Sequence, residues 1–263
     1  MEDNKDNKDK NRCIKCCSKI DLPDLIVLGV TIVFTVITFL TTKLNPLYVP
    51  EGDSLSDFPI PNRETIPGVL LFVILICVPE VTFVIFYFLN KKFPNIFNQF
   101  NIFAATWNVI TAQLAVQLLT EVIKSYVGRA RPDMYARCGD NAQYSTCKAT
   151  GYVLSDSFKS FPSGHSSGAM SSMYFCAVFL LKAVSNDSVF VSLAALLYIL
   201  LGLYIGATRI RDFRHHVDDV VAGYVVGYII TNIIWKNAKK RIFVKCVPEQ
   251  TQDSLQTNLI DQV

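Results

Sequence analysis

The chain contains only three histidines, and all three lie at the predicted ends of long apolar segments. His165 precedes one such segment, and His215 and His216 stand between two others. An imidazole can attack phosphorus as a nucleophile or move a proton near neutral pH. Cationic side chains nearby can hold the oxygens of a transferred phosphoryl group. The residues around the three histidines therefore decide whether this chemistry is available.

A first polar segment, KSYVGRARP at residues 124–132, follows an apolar run and carries Lys124, Arg129 and Arg131. These cations could hold phosphate oxygens. They could equally be the end charges of a membrane helix, with their side chains reaching the headgroup region.

A second segment, SFPSGHSS at residues 160–167, has residue types that open a helix. The free amides of Ser163 and Gly164, with the positive end of the helix dipole, would form an anion site with His165 in the first turn. Simple N-capping by Ser163 explains the same residues.

A third segment, TRIRDFRHHVDD at residues 208–219, carries Arg209, His215 and Asp219. His215 and Asp219 are four residues apart, so they share a face if the next helix has already begun. A carboxylate on one imidazole nitrogen sets the tautomer and leaves the other nitrogen free to attack. A pair of interfacial polar residues that cap the helix is the alternative.

Together the three segments provide the parts of a phosphoryl-transfer site. We expect no bound metal and no other cofactor, because the carboxylates alternate with arginines that would repel a cation. The expected catalytic residues are His215, His165 and Asp219, and the expected phosphate-binding residues are Lys124, Arg131, Arg209, Ser163 and Gly164.

The elements that must position these residues are membrane helices. Hydrophobic residues make up 51% of the 263-residue chain, and charges concentrate between apolar runs. A helix needs about 20 mostly apolar residues to cross a bilayer. We therefore predict an all-α polytopic membrane protein with six transmembrane helices, at residues 25–44, 69–89, 103–123, 167–184, 189–207 and 220–235. The sixth is short, and we expect it to begin about a turn earlier, near Val217.

Lysines and arginines beside the spans predict the orientation. Both terminal flanks and the second connection are basic, so we expect a cytoplasmic tail at residues 1–23, a six-helix domain at 24–236 and a cytoplasmic tail at 237–263. The third connection is basic too, which conflicts with the rule unless those cations serve the site. The site would then face the non-cytoplasmic side, at the plasma membrane, endoplasmic reticulum or Golgi.

The remaining expectations concern charge and cysteines. A net charge of +3 without a basic stripe argues against nucleic-acid binding. Cys138 and Cys147 could close a disulfide if their side of the membrane is oxidising. Cys16 and Cys17 could be palmitoylated or free, and the sequon at Asn186 would face the cytoplasm unused. The sequence does not determine whether the protein forms a homo-oligomer.

The three segments resemble the motifs of the type 2 phosphatidic acid phosphatase superfamily, and the chain is most similar to its lipid phosphate phosphatase branch. The first motif is Lys, six residues, Arg-Pro; the second is Pro-Ser-Gly-His; the third is Ser-Arg, five residues, His, three residues, Asp. Matching residues begin at Lys124, at Pro162 and at Thr208, where Thr replaces Ser. The loop cysteines after the first motif also look like those of that branch.

The resemblance implies a role for each matching residue. His215 would attack phosphorus and form a phosphohistidine, Asp219 would orient it, and His165 would protonate the leaving alkoxide and then activate water. Magnesium would not be needed. The implied substrates are phospholipids in the bilayer that carry a phosphate monoester: phosphatidic acid, lysophosphatidic acid and sphingoid-base phosphates, with diacylglycerol pyrophosphate as a further candidate.

Other functions stay open at this point. The protein could instead act on isoprenoid or sugar phosphates. It could also be a catalytically silent member that binds lipid phosphates without hydrolysis, although both histidines are present here. A transporter would need polar residues through the centre of the bundle, where only Glu80, Gln113 and Gln117 stand out.

Overall fold

The structure is a computed structural model that describes residues 22–185 and 188–243. The described part of the chain is helical and contains no β-strand, only an isolated bridge between Phe97 and Val184. A short 3₁₀ helix spans Ser54–Ser56. The α-helices are α1 Leu22–Thr41, α2 Gly68–Lys92, α3 Ile102–Val127, α4 Met134–Cys138, α5 Gly151–Ser157, α6 Gly164–Ala183, α7 Val189–Arg211 and α8 Val217–Ile242.

Helix α6 is the centre of the bundle and packs against α2, α3, α7 and α8. Its first half, GHSSGAMSS, is built from small residues that let neighbouring backbones approach. Its serines are buried, and several of them pair with polar groups on other helices. Ser171 Oγ accepts from Thr231 at 2.7 Å, and Ser172 Oγ donates to the Leu75 carbonyl at 2.9 Å.

Two glycines of α8 allow that helix to lie directly on the beginning of α6. A Cβ atom at Gly223 would come within 2.6 Å of the Ser163 carbonyl oxygen, and one at Gly227 within 2.3 Å of the Ser167 carbonyl oxygen. This close approach holds the start of α8 beside the start of α6, where His215 and His165 lie.

Four helices, α2, α3, α7 and α8, are long and apolar enough to cross a membrane, and α1 contains a shorter apolar helix at Leu22–Thr38. Large apolar side chains on α1, α2, α7 and α8 point outward, as expected for surfaces in lipid. The chain is therefore an integral membrane protein, as predicted. The six predicted segments are helical, but only four of them qualify as candidate spans. Helix α6 is less hydropathic than these four because its first half is rich in serine and glycine.

The connection at residues 42–67 lies across the end of the bundle where α3 and α7 end and α6 and α8 begin. Asn45 N–H donates to the Ser125 carbonyl at 2.8 Å, and Phe58 N–H donates to the Pro132 carbonyl at 2.9 Å. The Phe58 ring also stacks on Phe213, with centroids 5.0 Å apart. The first connection is therefore part of the surface that covers the polar segments.

In the third connection, Cys138 and Cys147 form a disulfide. Cys138 is buried together with Met134, Tyr135 and Phe158, so the bond closes a loop that packs against the site. Cys16 and Cys17, for which palmitoylation was one alternative, and Asn186, whose sequon was expected to stay unused, lie outside the described residues.

Candidate active site

The three predicted segments meet at one end of the bundle. Lys124 lies in the last turn of α3, His165 in the first turn of α6 and Arg209 in the last turn of α7. His215 lies immediately before His216, the N-cap of α8. Because two helices end and two begin here, residues far apart in sequence form one polar cluster.

His215 is the most enclosed of the three histidines, with only 3% of its surface exposed. Arg131 Nη1 lies 3.1 Å from His215 Nε2. A guanidinium has donors and no acceptor, so Nε2 must carry the lone pair and the ring proton must lie on Nδ1. Burial, and next the Arg131 cation, lower the pKa of His215 well below its ordinary value of 6.5. The ring is therefore neutral, with a lone pair in a cationic cluster.

The Asp219 carboxylate does not hydrogen-bond to His215 as the sequence led us to expect. Asp219 Oδ2 lies 3.8 Å from His215 Nδ1. It accepts instead from Ser160 Oγ at 2.6 Å and from the His216 amide at 2.9 Å. Helix α8 begins at Val217, so Asp219 folds back onto the N-cap amide and His215 stands just outside the helix. Asp219 faces the correct nitrogen but lies beyond hydrogen-bond distance.

The second carboxylate oxygen of Asp219 is held by Arg129. Arg129 Nη1 donates to Asp219 Oδ1 at 2.8 Å and also pairs with Asp218. The sequence suggested Arg129 only as one of three cations. In the structure it fixes a carboxylate and is not aimed at the cluster around His215.

Arg131 is oriented by a residue that sequence reasoning missed. Its Nε donates to the Asp156 carbonyl at 2.6 Å, and its Nη2 donates to Asp156 Oδ1 at 2.6 Å. Asp156 lies on the short helix α5 and also pairs with Arg214, at 2.7 Å. Arg214 in turn contacts the fully buried Asp133, at 3.0 Å. These buried pairs hold the guanidinium that contacts His215.

Lys124 and Gly164 are adjacent, but only one of the two predicted amide donors is free. Lys124 is buried, and its Nζ donates to the Lys159 carbonyl at 2.7 Å. A Cβ atom at Gly164 would lie 3.7 Å from Lys124 Cε. The Ser163 amide donates to the Asp219 carbonyl at 2.9 Å and is therefore occupied, while the Ser163 side chain caps α6 through the Ser166 amide. The Gly164 amide makes no hydrogen bond to any described residue.

Arg209 and His165 share an unexpected partner in the first connection. Arg209 Nη1 donates to the Ile66 carbonyl at 3.0 Å, and His165 Nε2 lies 3.2 Å from the same oxygen. Arg209 Nη2 also donates to Glu64 Oε2 at 3.1 Å. Nothing in the sequence marked Glu64 or Ile66, because they lie in a loop without periodicity. The predicted helix order placed that loop at the same end of the bundle as the three polar segments, but it predicted none of the loop's contacts.

The carboxylates of this cluster are already engaged by cations. Glu64, Asp133, Asp156 and Asp212 each form an ion pair with an arginine. Among the residues that the structure describes, no group of three or more histidine, cysteine, aspartate or glutamate side chains could hold a metal. The donor set is thus one for anions, made of guanidinium, ammonium, amide and imidazole groups.

The fold and the site define a helical membrane protein with a buried, cation-rich cluster around an imidazole. The model of the PAP2 superfamily matches residues 105–243 of the chain. That range contains all three polar segments and more than half of the sequence. The chain therefore belongs to the PAP2 superfamily.

Named relatives specify the branch. "Probable lipid phosphate phosphatase 4" of Arabidopsis thaliana is 29% identical over 79% of this chain and 68% of its own length. "Phospholipid phosphatase 1" of Rattus norvegicus is 28% identical over 66% of this chain and 69% of its own. "Probable diacylglycerol pyrophosphate phosphatase 1" of Schizosaccharomyces pombe is 32% identical over 45% of this chain and 48% of its own.

The chain thus spans between 48% and 69% of the length of these relatives. No solved structure matches it. The relatives confirm the resemblance to the lipid phosphate phosphatase branch and the prediction of a phosphatase.

Proposed function

We propose that this protein hydrolyses lipid phosphate monoesters through a covalent phosphohistidine on His215. The observation that carries the proposal is the contact of Arg131 Nη1 with His215 Nε2 at 3.1 Å. The neutral imidazole lone pair accepts from Arg131 in this structure, and it becomes free to attack when a phosphate oxygen takes over that donor. The relatives' names, which refer to lipid phosphates and phospholipids, support the substrate class.

In the proposed first half-reaction, His215 Nε2 bonds to phosphorus and the P–O bond to the lipid breaks. His165 gives a proton to the departing alkoxide, so the lipid leaves as an alcohol. Arg131, Arg209 and Lys124 hold the non-bridging oxygens, whose charge is stabilised by fixed donors in a site with little water. The free Gly164 amide adds a further donor at the start of α6.

In the second half-reaction, water attacks phosphorus and His165 takes its proton. The N–P bond breaks, and inorganic phosphate and neutral His215 remain. Asp219 lies on the Nδ1 side of the ring, where a small movement from 3.8 Å would make a hydrogen bond to the ring proton. That bond would strengthen as the ring becomes positively charged in the phosphoenzyme.

The experiment that tests this function is phosphate release from phosphatidic acid in detergent micelles with excess EDTA. Wild type should release phosphate under these conditions, because arginines and a lysine, not a metal, neutralise the phosphate. His165→Ala should lower kcat by about 100-fold or more, since it removes the proton donor. Turnover that stops with EDTA and returns with magnesium would contradict the metal-free assignment.

A second candidate substrate class is lipid pyrophosphate, favoured by the fungal relative whose name refers to diacylglycerol pyrophosphate. The same nucleophile and cations would serve either class, because both present a terminal phosphoryl group. The same assay with diacylglycerol pyrophosphate and with isoprenoid phosphates ranks the classes through kcat/KM. Binding of these lipids without release would instead identify a silent binding protein.

We also propose the predicted topology of six spans with both termini cytoplasmic. The helix order supports six spans, because α3 and α7 end where α6 and α8 begin. The basic flanks favour a cytoplasmic location of both termini. A single cysteine at Glu51, exposed in the first connection, should react with a membrane-impermeant maleimide from the non-cytoplasmic side. One at Asn95, exposed in the second connection, should react only from the cytoplasm. The reverse pattern would invert the orientation.

A further inference from the structure

Glu64 places a carboxylate on the cations of the proposed phosphate site. Glu64 Oε2 lies 3.1 Å from Arg209 Nη2, and Glu64 Oε1 lies 3.1 Å from Arg214 Nε. Arg209 is almost completely enclosed, with 2% of its side chain exposed, whereas 29% of the Glu64 side chain is exposed. Glu64 therefore sits at the mouth of the site, between solvent and a buried guanidinium.

A carboxylate and a phosphate monoester demand the same donors. Each presents anionic oxygens that accept charge-assisted hydrogen bonds from a guanidinium. Within the described residues, Arg209 Nη1 donates to Ile66, Nη2 donates to Glu64, and Nε has no partner. A phosphate that approaches Arg209 Nη2 therefore meets the Glu64 carboxylate at the same donor group.

The neighbouring residues are anchored, so the side chain of Glu64 is the part that can leave. Ile66 is buried in an apolar cluster with Leu71, Ala169 and Ile205. Thr65 is tied to Asp212 by its amide at 2.8 Å and by its hydroxyl at 2.7 Å. By contrast, the Glu64 carboxylate has only ion pairs and is partly in water, where such pairs exchange easily.

We propose that Glu64 is an internal competitor of phosphate: its carboxylate covers Arg209 between turnovers and is displaced when the phosphate of the substrate binds. The proposal rests on the proposed function, because it requires Arg209 to bind phosphate. The competing carboxylate weakens the binding of inorganic phosphate, the product, and so speeds its release. It also covers a buried cation whose other carboxylate partner, Asp212, lies 3.5 Å from Arg209 Nη1.

Glu64→Gln tests this idea, with Glu51→Gln as the matched control. Glu51 is an exposed carboxylate in the same connection, so its neutralisation changes the net charge equally. Inorganic phosphate is titrated into purified protein in detergent by calorimetry, and its inhibition constant is measured with phosphatidic acid. Glu64→Gln should tighten both constants about tenfold, because the binding-competent state no longer has to be opened. Glu51→Gln should match wild type.

A role in positioning predicts the opposite change. If Glu64 merely holds Arg209 in place, Glu64→Gln weakens phosphate binding, and that result overturns the proposal, as does an unchanged constant. If wild type hydrolyses phosphatidic acid but Glu64→Gln leaves the phosphate inhibition constant unchanged, the role of Glu64 as a competitor is rejected and the proposed function is kept. Phosphate binding that tightens in Glu64→Gln, in a protein that hydrolyses no lipid phosphate, supports the competitor and rejects the proposed function.

Discussion

Arg131 and His215 are 84 residues apart in the chain, yet Arg131 Nη1 lies 3.1 Å from His215 Nε2. The contact determines the tautomer of the imidazole, because the guanidinium can only donate. It also places a cation beside the position that a phosphate oxygen would take when Nε2 attacks phosphorus. Each prediction below depends on how the fold maintains this pair.

The first prediction concerns Asp156, which orients Arg131 through its carbonyl and carboxylate. Asp156→Asn removes the charge that faces Arg131 and Arg214, so the Arg131 guanidinium should shift. We expect kcat/KM for phosphatidic acid to fall by about 100-fold, as small misplacements of catalytic groups do. The control is Asp140→Asn, an exposed residue in the same connection, which should keep wild-type activity. Equal activity in both variants would show that Asp156 does not position Arg131.

The second prediction concerns the contact of α8 with α6. Gly227→Ala places a Cβ atom 2.3 Å from the Ser167 carbonyl oxygen, so the helices must separate. Overpacking of this kind costs about 1–3 kcal/mol of stability. The measurement is the thermal unfolding of the detergent-solubilised protein. Gly29→Ala on α1 has nothing within 4 Å of the new Cβ atom and should unfold no earlier than wild type. Equal loss in both variants would argue against close packing at Gly227.

The third prediction concerns the protonation of His215, whose pKa is lowered by burial and by Arg131. As pH falls through 6.5, the unfolded chain takes up a proton that the folded chain refuses, so His215 stabilises the fold less in acid than at neutral pH. With ¹³C-labelled histidine, the ring signal of His215 should stay neutral from about pH 8 to about pH 6. That signal should be missing in His215→Ala. Titration of all three signals near the ordinary value would contradict the buried, neutral ring.

The sequence predicted the candidate catalytic and phosphate-binding residues better than it predicted the residues that position them. Lys124, His165, Arg209 and His215 were selected by residue type and by their place at helix ends, and the structure brings them to one end of the bundle. Helix ends are predictable because apolar runs have a fixed length in a membrane.

The residues that position this cluster could not be predicted, for physical reasons. Glu64 lies in a loop without periodicity and Asp156 lies on the short helix α5, and their partners are set by how these connections fold over the bundle. Asp219 was assigned to His215 by its spacing of four residues, a rule that holds inside a helix. His215 precedes the helix, so Asp219 meets the N-cap amide instead. Helix α6 is less apolar than a lipid-facing span because it contains many serines. Two of these serines, Ser171 and Ser172, form hydrogen bonds with other helices.

The most direct test of the account is to trap the phosphoenzyme. Wild type and His215→Ala are incubated briefly with phosphatidic acid labelled with ³²P in the phosphate, quenched in alkaline detergent, in which phosphohistidine survives, and separated by electrophoresis. We predict label on wild type that is lost in mild acid, and no label on His215→Ala. Acid-labile label on His215→Ala, or phosphate release by that variant at a rate near wild type, would show that His215 is not the nucleophile.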